Sequence, residues 1–64
     1  MFTLMFWNAN NEALLIIGRK SQIEFDTYKE AWNYAEVIAN KMFKKGAVEA
    51  TISGNGTTDT YDIY

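Results

Sequence analysis

Thr27-Tyr28-Lys29-Glu30-Ala31-Trp32-Asn33-Tyr34-Ala35-Glu36-Val37-Ile38-Ala39-Asn40-Lys41-Met42-Phe43-Lys44-Lys45-Gly46 is the stretch that decides the fold. Thr27 followed by Glu30 is a capping box: the hydroxyl accepts from the Glu30 backbone while the carboxylate reaches back to the cap. Tyr28, Ala31, Ala35, Ile38 and Met42 then recur at steps of 3, 4, 3 and 4, one face of a helix, and Trp32, Ala39 and Phe43 widen the stripe. Lys29, Asn33, Glu36, Asn40 and Lys44 take the opposite, solvated side. Gly46 suits the left-handed residue after a helix end, and Lys41, Lys44 and Lys45 complement the negative pole of the dipole. The chain therefore has one amphipathic helix with one apolar face to hide.

On either side of it the period changes to that of strands. Phe2 to Trp7 is an apolar and aromatic strand, and Asn8-Ala9-Asn10-Asn11 a turn, because Asn tolerates left-handed backbone and bonds its own chain. Ala13 to Ile17 reads as a second strand, broken by Gly18-Arg19-Lys20, and Gln22 to Phe25 alternates as a third. After the helix, Ala47 to Ser53 alternates, and Asn55-Gly56 is a favourable pair for a type I′ hairpin. A two-residue loop there sets Ala50 opposite Tyr61 and Val48 opposite Ile63. It also opposes Glu49 and Asp62, a like-charge pair that costs a few tenths of a kcal/mol. The expected architecture is a single α+β domain over 1–64, strand-strand-strand-helix-strand-strand, with one antiparallel sheet and the helix across one face.

One helix covers one face, so the other should be polar. In the last hairpin it is: Glu49, Thr51, Ser53, Thr58, Thr60 and Asp62. In the first it is not. If Phe2, Leu4, Phe6, Leu14 and Ile16 face the helix, then Met5, Trp7, Leu15 and Ile17 point to the open side, and reversing the assignment only exchanges the sets. Strands buried on both faces read as continuous apolar runs, and exposed apolar patches on small domains mark contacts. Met5, Trp7, Leu15 and Ile17 are thus the expected contact surface, covered by another protein. A second copy, as in a homodimer, is the simplest cover. No Pro and few charges block the first strand from edge pairing as well. The competing reading is a monomer in which the first strand or the loop after it curls over the patch.

The chain has 64 residues and a formal charge of −2, with no His, Cys or Pro and 16% aromatic residues. Disulfides, thiolate and imidazole catalysis and zinc sites of Cys/His type are excluded, because the atoms are missing. A core this small roughly balances the entropy of ordering the chain, which leaves heavy aromatic packing or a second subunit as the source of stability. The apolar start lacks a basic region and is too short to span a bilayer, so the expected compartment is the cytoplasm, without a membrane contact. Met1 suggests a complete small reading frame.

Other constellations are weaker. Glu49 and Asp62, with Asp59 near in sequence, form no calcium loop, which needs six to eight oxygens at close range; solvated carboxylates explain them. Gly54-Asn55-Gly56-Thr57-Thr58 lacks the Lys and following helix of a phosphate loop. Arg19, Lys20, Lys41, Lys44 and Lys45 with Trp7, Tyr61 and Tyr64 are the elements of a nucleic-acid-binding alternative. The acidic balance and the helix dipole weigh against it. Tyr34 and Val37 on the helix flank read as ordinary partial exposure. A chain of this size is expected to lack room for a ligand pocket of about 300 Å³ or more, so no enzyme, cofactor or metal is expected.

The functional expectation is a small non-enzymatic protein-binding or inhibitor-type accessory protein that self-associates and modulates a larger target. Compact acidic proteins of phages and mobile elements, including inhibitors of host defence nucleases, supply the analogy in size and charge. Its contact is either the apolar set above or an acidic one, Glu24, Asp26, Glu30, Glu49, Asp59 and Asp62, presented to a basic groove. The two predict opposite responses to salt.

Overall fold

The structure, a computed structural model, describes residues 1–18 and 20–63. Arg19 of the basic set and Tyr64 of the stacking set lie outside the described residues. The order is β1 (Phe2–Asn8), β2 (Ala13–Leu14), β3 (Ile23–Phe25), α1 (Tyr28–Lys44), β4 (Ala47–Gly54) and β5 (Thr57–Asp62). The five strands form one antiparallel sheet and the helix packs on one side of it, an α+β fold.

Both ends of α1 are built from the residues that announced them. The Glu30 N–H donates to Thr27 Oγ1 at 3.2 Å, and the Thr27 N–H to Glu30 Oε1 at 3.2 Å. Gly46 has φ of 103° and its N–H donates to the Phe43 carbonyl, closing the last turn. Ala31, Ala35, Ile38 and Met42 are buried against the sheet.

In the sheet β1 and β4 form the centre. Leu4 lies opposite Ile52 and Phe6 opposite Ala50, all buried beneath the helix. β4 occupies one side of β1 from Thr3 to Asn8, so β2 and β3 share the other. Leu14 pairs with Phe6, Ile23 with Leu4 and Phe25 with Phe2, which carries the helix-facing layer onto that edge. Of the two ways to assign the first hairpin, the chain adopts the one with Phe2, Leu4, Phe6, Leu14 and Ile16 toward the helix. The central place of β1 corrects the expectation that it could pair across an edge: both of its sides are taken.

At the other end the Asn55-Gly56 turn has both residues at positive φ, 52° and 79°, as a type I′ turn requires. It sets Ala50 against Tyr61 and Glu49 against Asp62, the expected register. The core is supplemented by aromatic contacts along α1. Phe2 meets Tyr28 edge-on at 5.9 Å between centroids, Tyr28 stacks on Trp32 at 6.0 Å, and Trp32 meets Tyr61 at 4.8 Å. Phe25 packs on Tyr34 at 5.4 Å on the β3 side. Tyr34 is therefore part of the packing, whereas Val37 is left in solvent. Such pairs contribute about 0.5–1.5 kcal/mol each beyond area burial, which matters in a domain without a disulfide.

Candidate contact surface

The second strand ends three residues earlier than its apolar run. Leu15, Ile16 and Ile17 continue past Leu14, yet only Ile16 is buried. Its N–H donates to the Lys20 carbonyl at 2.6 Å, closing a tight reversal in which Ile17 (φ 52°) and Gly18 (φ 69°) both adopt left-handed backbone. The expected strand Ala13 to Ile17 thus becomes a two-residue strand and a turn. Gly18 explains half of that turn, since it carries no Cβ penalty. Ile17 does not: a β-branched side chain in this region is a steric outlier that costs of order 1–3 kcal/mol.

The turn divides the expected contact set in two. Leu15 is 55% exposed and Ile17 44% exposed, at the sheet margin beyond β2. Met5 and Trp7 lie on the open face of β1, opposite Thr51 and Glu49, and each is half-buried. The Trp7 indole Nε1–H donates to Thr51 Oγ1 at 3.0 Å, so the polar handle of the ring is satisfied within the sheet. Neighbouring side chains thus shelter half of the apolar surplus, and half stands in solvent.

Beside the turn opens a groove of about 660 Å³ lined by Ile16, Ile17, Ile23 and Tyr34, together with the polar Lys20, Gln22 and Glu24. The expectation that so short a chain lacks room for a concavity of that size does not hold. After the two-residue strand the chain leaves its pairing with β1 until Ile23, and the groove lies between the residues around Ile17 and Lys20 and the helix residue Tyr34. Among the described residues no cluster of His, Cys, Asp or Glu could hold a metal ion.

The acidic set is not gathered on one surface. Glu49 and Asp62 oppose each other on the open face, and Glu24 lies on the same face across β1, opposite Thr3. Asp59 is opposite Ile52, on the helix side. There a hydrogen bond to Asp59, with partial burial and the carboxylate's charge behind it, raises the Tyr28 phenol above its ordinary pKa of 10.0. Glu30 is held by the capping box and Asp26 stands just before it. The stacking set is likewise dispersed, because Tyr61 is turned toward Trp32 under the helix rather than to the open face.

Sequence reasoning expected Leu15 and Ile17 in solvent but missed the half-burial of Met5 and Trp7 and the 48% exposure of Phe43, which it set on the apolar helix stripe, as well as the reversal at Ile17 and the groove. The signal that could have found the reversal and the groove is Gly18 directly after the apolar run, a residue able to close a hairpin rather than only end a strand. No described helix is long and apolar enough to cross a membrane. No protein-family model, curated protein or solved structure matches the chain.

Proposed function

We propose that this chain is a small non-enzymatic protein-binding module of the accessory or inhibitor type, and that Leu15 and Ile17 are the centre of its contact surface, with Met5 and Trp7 beside them. The observation that carries this reading is Ile17 itself. Folding needs Ile16, which fills the core, whereas Ile17 follows it on left-handed backbone with 44% of its surface exposed. Asn or Gly would supply that without strain. An isoleucine there costs stability twice, through its backbone and through its exposed apolar surface, which is the pattern of a residue kept for a partner. The adjacent groove gives a partner side chain somewhere to enter, and aromatic or aliphatic anchors in such pockets carry most of the energy of protein contacts. The dispersal of the six carboxylates favours the apolar contact over the acidic one. Compact size, a charge of −2 and this surface suit a protein that acts in the cytoplasm by occluding a larger target.

A photo-crosslinking residue at position 15, compared with one at Asn33 on the solvated side of α1, tests the reading in cells that encode the chain. A protein adduct formed at 15 and not at 33, with a yield unchanged by added salt, is the expected result. Equal adducts at both positions, none at 15, or loss of the adduct as salt rises would overturn it.

A further inference from the structure

The two margins of the sheet are not alike. The β2/β3 margin is interrupted: strands of two and three residues flank a loop that leaves the sheet, a form of edge that resists pairing with another chain. The β5 margin is continuous from Thr57 to Asp62, pairs with β4 without a register shift, and has no partner on its outer side among the described residues. It carries no Pro, no Lys and no bulge, and its charges are Asp59 on the helix side and Asp62 on the open face.

Hydrogen bonding tells which groups that edge offers. The Ile63 N–H donates to the Val48 carbonyl at 3.1 Å. Hydrogen-bonded and non-bonded pairs alternate along an antiparallel ladder, so residues 57, 59 and 61 also turn their backbone toward β4. The N–H and C=O of Thr58, Thr60 and Asp62 consequently point outward, away from the sheet. These positions are symmetric about Thr60. We infer that a second copy of this chain pairs there, β5 against β5, antiparallel about a two-fold axis at Thr60.

In that register Thr60 meets Thr60 of the second copy, Thr58 meets its Asp62, and Asp62 meets its Thr58. Every outward N–H and C=O of both strands finds a partner. Shifting by two residues leaves groups unpaired at each end, and in one direction sets Asp59 directly against Asp59. The symmetric register instead places each Asp59 opposite Tyr61 of the second copy and each Asp62 opposite a threonine hydroxyl, so neither carboxylate faces another directly. Thr and Tyr are also favourable strand residues. Residues directly opposite share a face, so the two helices fall on the same side of one continuous sheet. The Leu15 and Ile17 surfaces then lie at its two far margins, both free. The pairing does not depend on the partner reading, since it uses the opposite edge, and it would present that surface twice.

Sedimentation across concentrations up to about 1 mM, combined with amide hydrogen exchange of the full chain, tests the pairing. A dimer is expected in which the Thr58, Thr60 and Asp62 amides become at least about tenfold slower to exchange as concentration rises. Thr60→Lys opposes two like charges at the axis and should weaken the dimer by about tenfold or more. Thr60→Pro removes an outward donor while sparing the bonds to β4, and should do the same. Leu15→Ser should leave the dimer intact. A monomer at all concentrations overturns the inference, as does a dimer with fast-exchanging 58, 60 and 62 amides. A dimer lost with Leu15→Ser but kept with Thr60→Lys overturns it too, by assigning self-association to the apolar surface. The first two results leave the crosslinking test at position 15 untouched, whereas the third makes a second copy of this chain the expected adduct there.

Discussion

The hairpin of β4 and β5 and the margin made of β2 and β3 are built on opposite principles, although both flank the same β1–β4 centre. The hairpin alternates faithfully, turns through a residue pair suited to its twist, and exposes Thr, Ser and acidic side chains on the open face. The other margin has too many consecutive apolar residues for a half-exposed strand. It resolves them by leaving the sheet after Leu14, burying Ile16 and holding Leu15 and Ile17 out in solvent. One region follows the rules of folding, apart from the like-charge pair of Glu49 and Asp62. The other gives up regularity at one turn and gains an apolar projection and a groove beside it. Where local structure, pattern and turn chemistry agree, the element is explained by stability, and where they conflict lies the margin that the proposed contact uses.

The sharpest way to break this comparison is Gly54→Ala, at the end of the well-behaved hairpin. In most strands alanine is the better residue, because glycine loses more entropy on ordering. Here a Cβ on residue 54 would sit 2.5 Å from Phe2 Cδ1 and 2.6 Å from the Met1 carbonyl oxygen. Phe2 is the first ring of the row that continues through Tyr28 and Trp32 to Tyr61, so the displacement spreads into the aromatic packing. The expected loss is about 1–3 kcal/mol, the range for overpacking, read from urea midpoints, with a changed near-ultraviolet dichroism. A variant as stable as the native chain would mean that the hairpin end is looser than its regularity implies.

The same contrast explains how much could be read in advance. Thr27, Glu30 and Gly46 bound the helix, and Asn55-Gly56 sets the register of the hairpin, because each acts on backbone within a few residues of itself. That Leu4, Phe6 and Ile16 share one face followed from alternation, but which face the helix covers did not, because both faces of the first hairpin are apolar. The position of β1 did not, because strand order depends on contacts distant in sequence, and local pattern is silent about them. Nor did the end of β2. Leu14 to Ile17 is as apolar as a buried strand, and only the tertiary demand to send Ile16 inward while closing a turn through Gly18 ends the ladder there. Of the candidate surface, the exposure of Leu15 and Ile17 was legible, and the half-burial of Met5 and Trp7 and the division between sheet and turn were not.

Ile17→Asn sharpens the comparison with a smaller effect of opposite sign. Asparagine tolerates left-handed backbone, so the substitution should raise stability by about 0.5–1 kcal/mol, a part of the strain cost. The same change removes half of the exposed apolar pair and should reduce the crosslinked adduct formed at position 15. Stability up with binding down is the signature of a residue held for a partner. Stability down would show that Ile17 packs for the fold after all, and would return the margin to the rules that govern the hairpin.

The smallest effect concerns the exposed seam between α1 and the hairpin, where Asp59 meets Tyr28 of the aromatic row. The phenol's pKa is raised above 10.0 chiefly by its hydrogen bond to that carboxylate. A group whose folded pKa lies above its unfolded value contributes stability that is complete below the unfolded value and is lost as pH rises through the folded one. The seam should therefore be intact at pH 8 and weaken above about pH 10, where ionised Tyr28 would face the negative Asp59. Tyr28→Phe keeps a ring for Phe2 and Trp32 but has no proton to lose. Urea unfolding of the two proteins at pH 8 and pH 10.5 isolates the difference: the native chain should lose more stability across the interval than Tyr28→Phe. Parallel losses would place the alkaline sensitivity elsewhere and leave Asp59 as a solvated edge carboxylate, like its neighbour Asp62 on the opposite face.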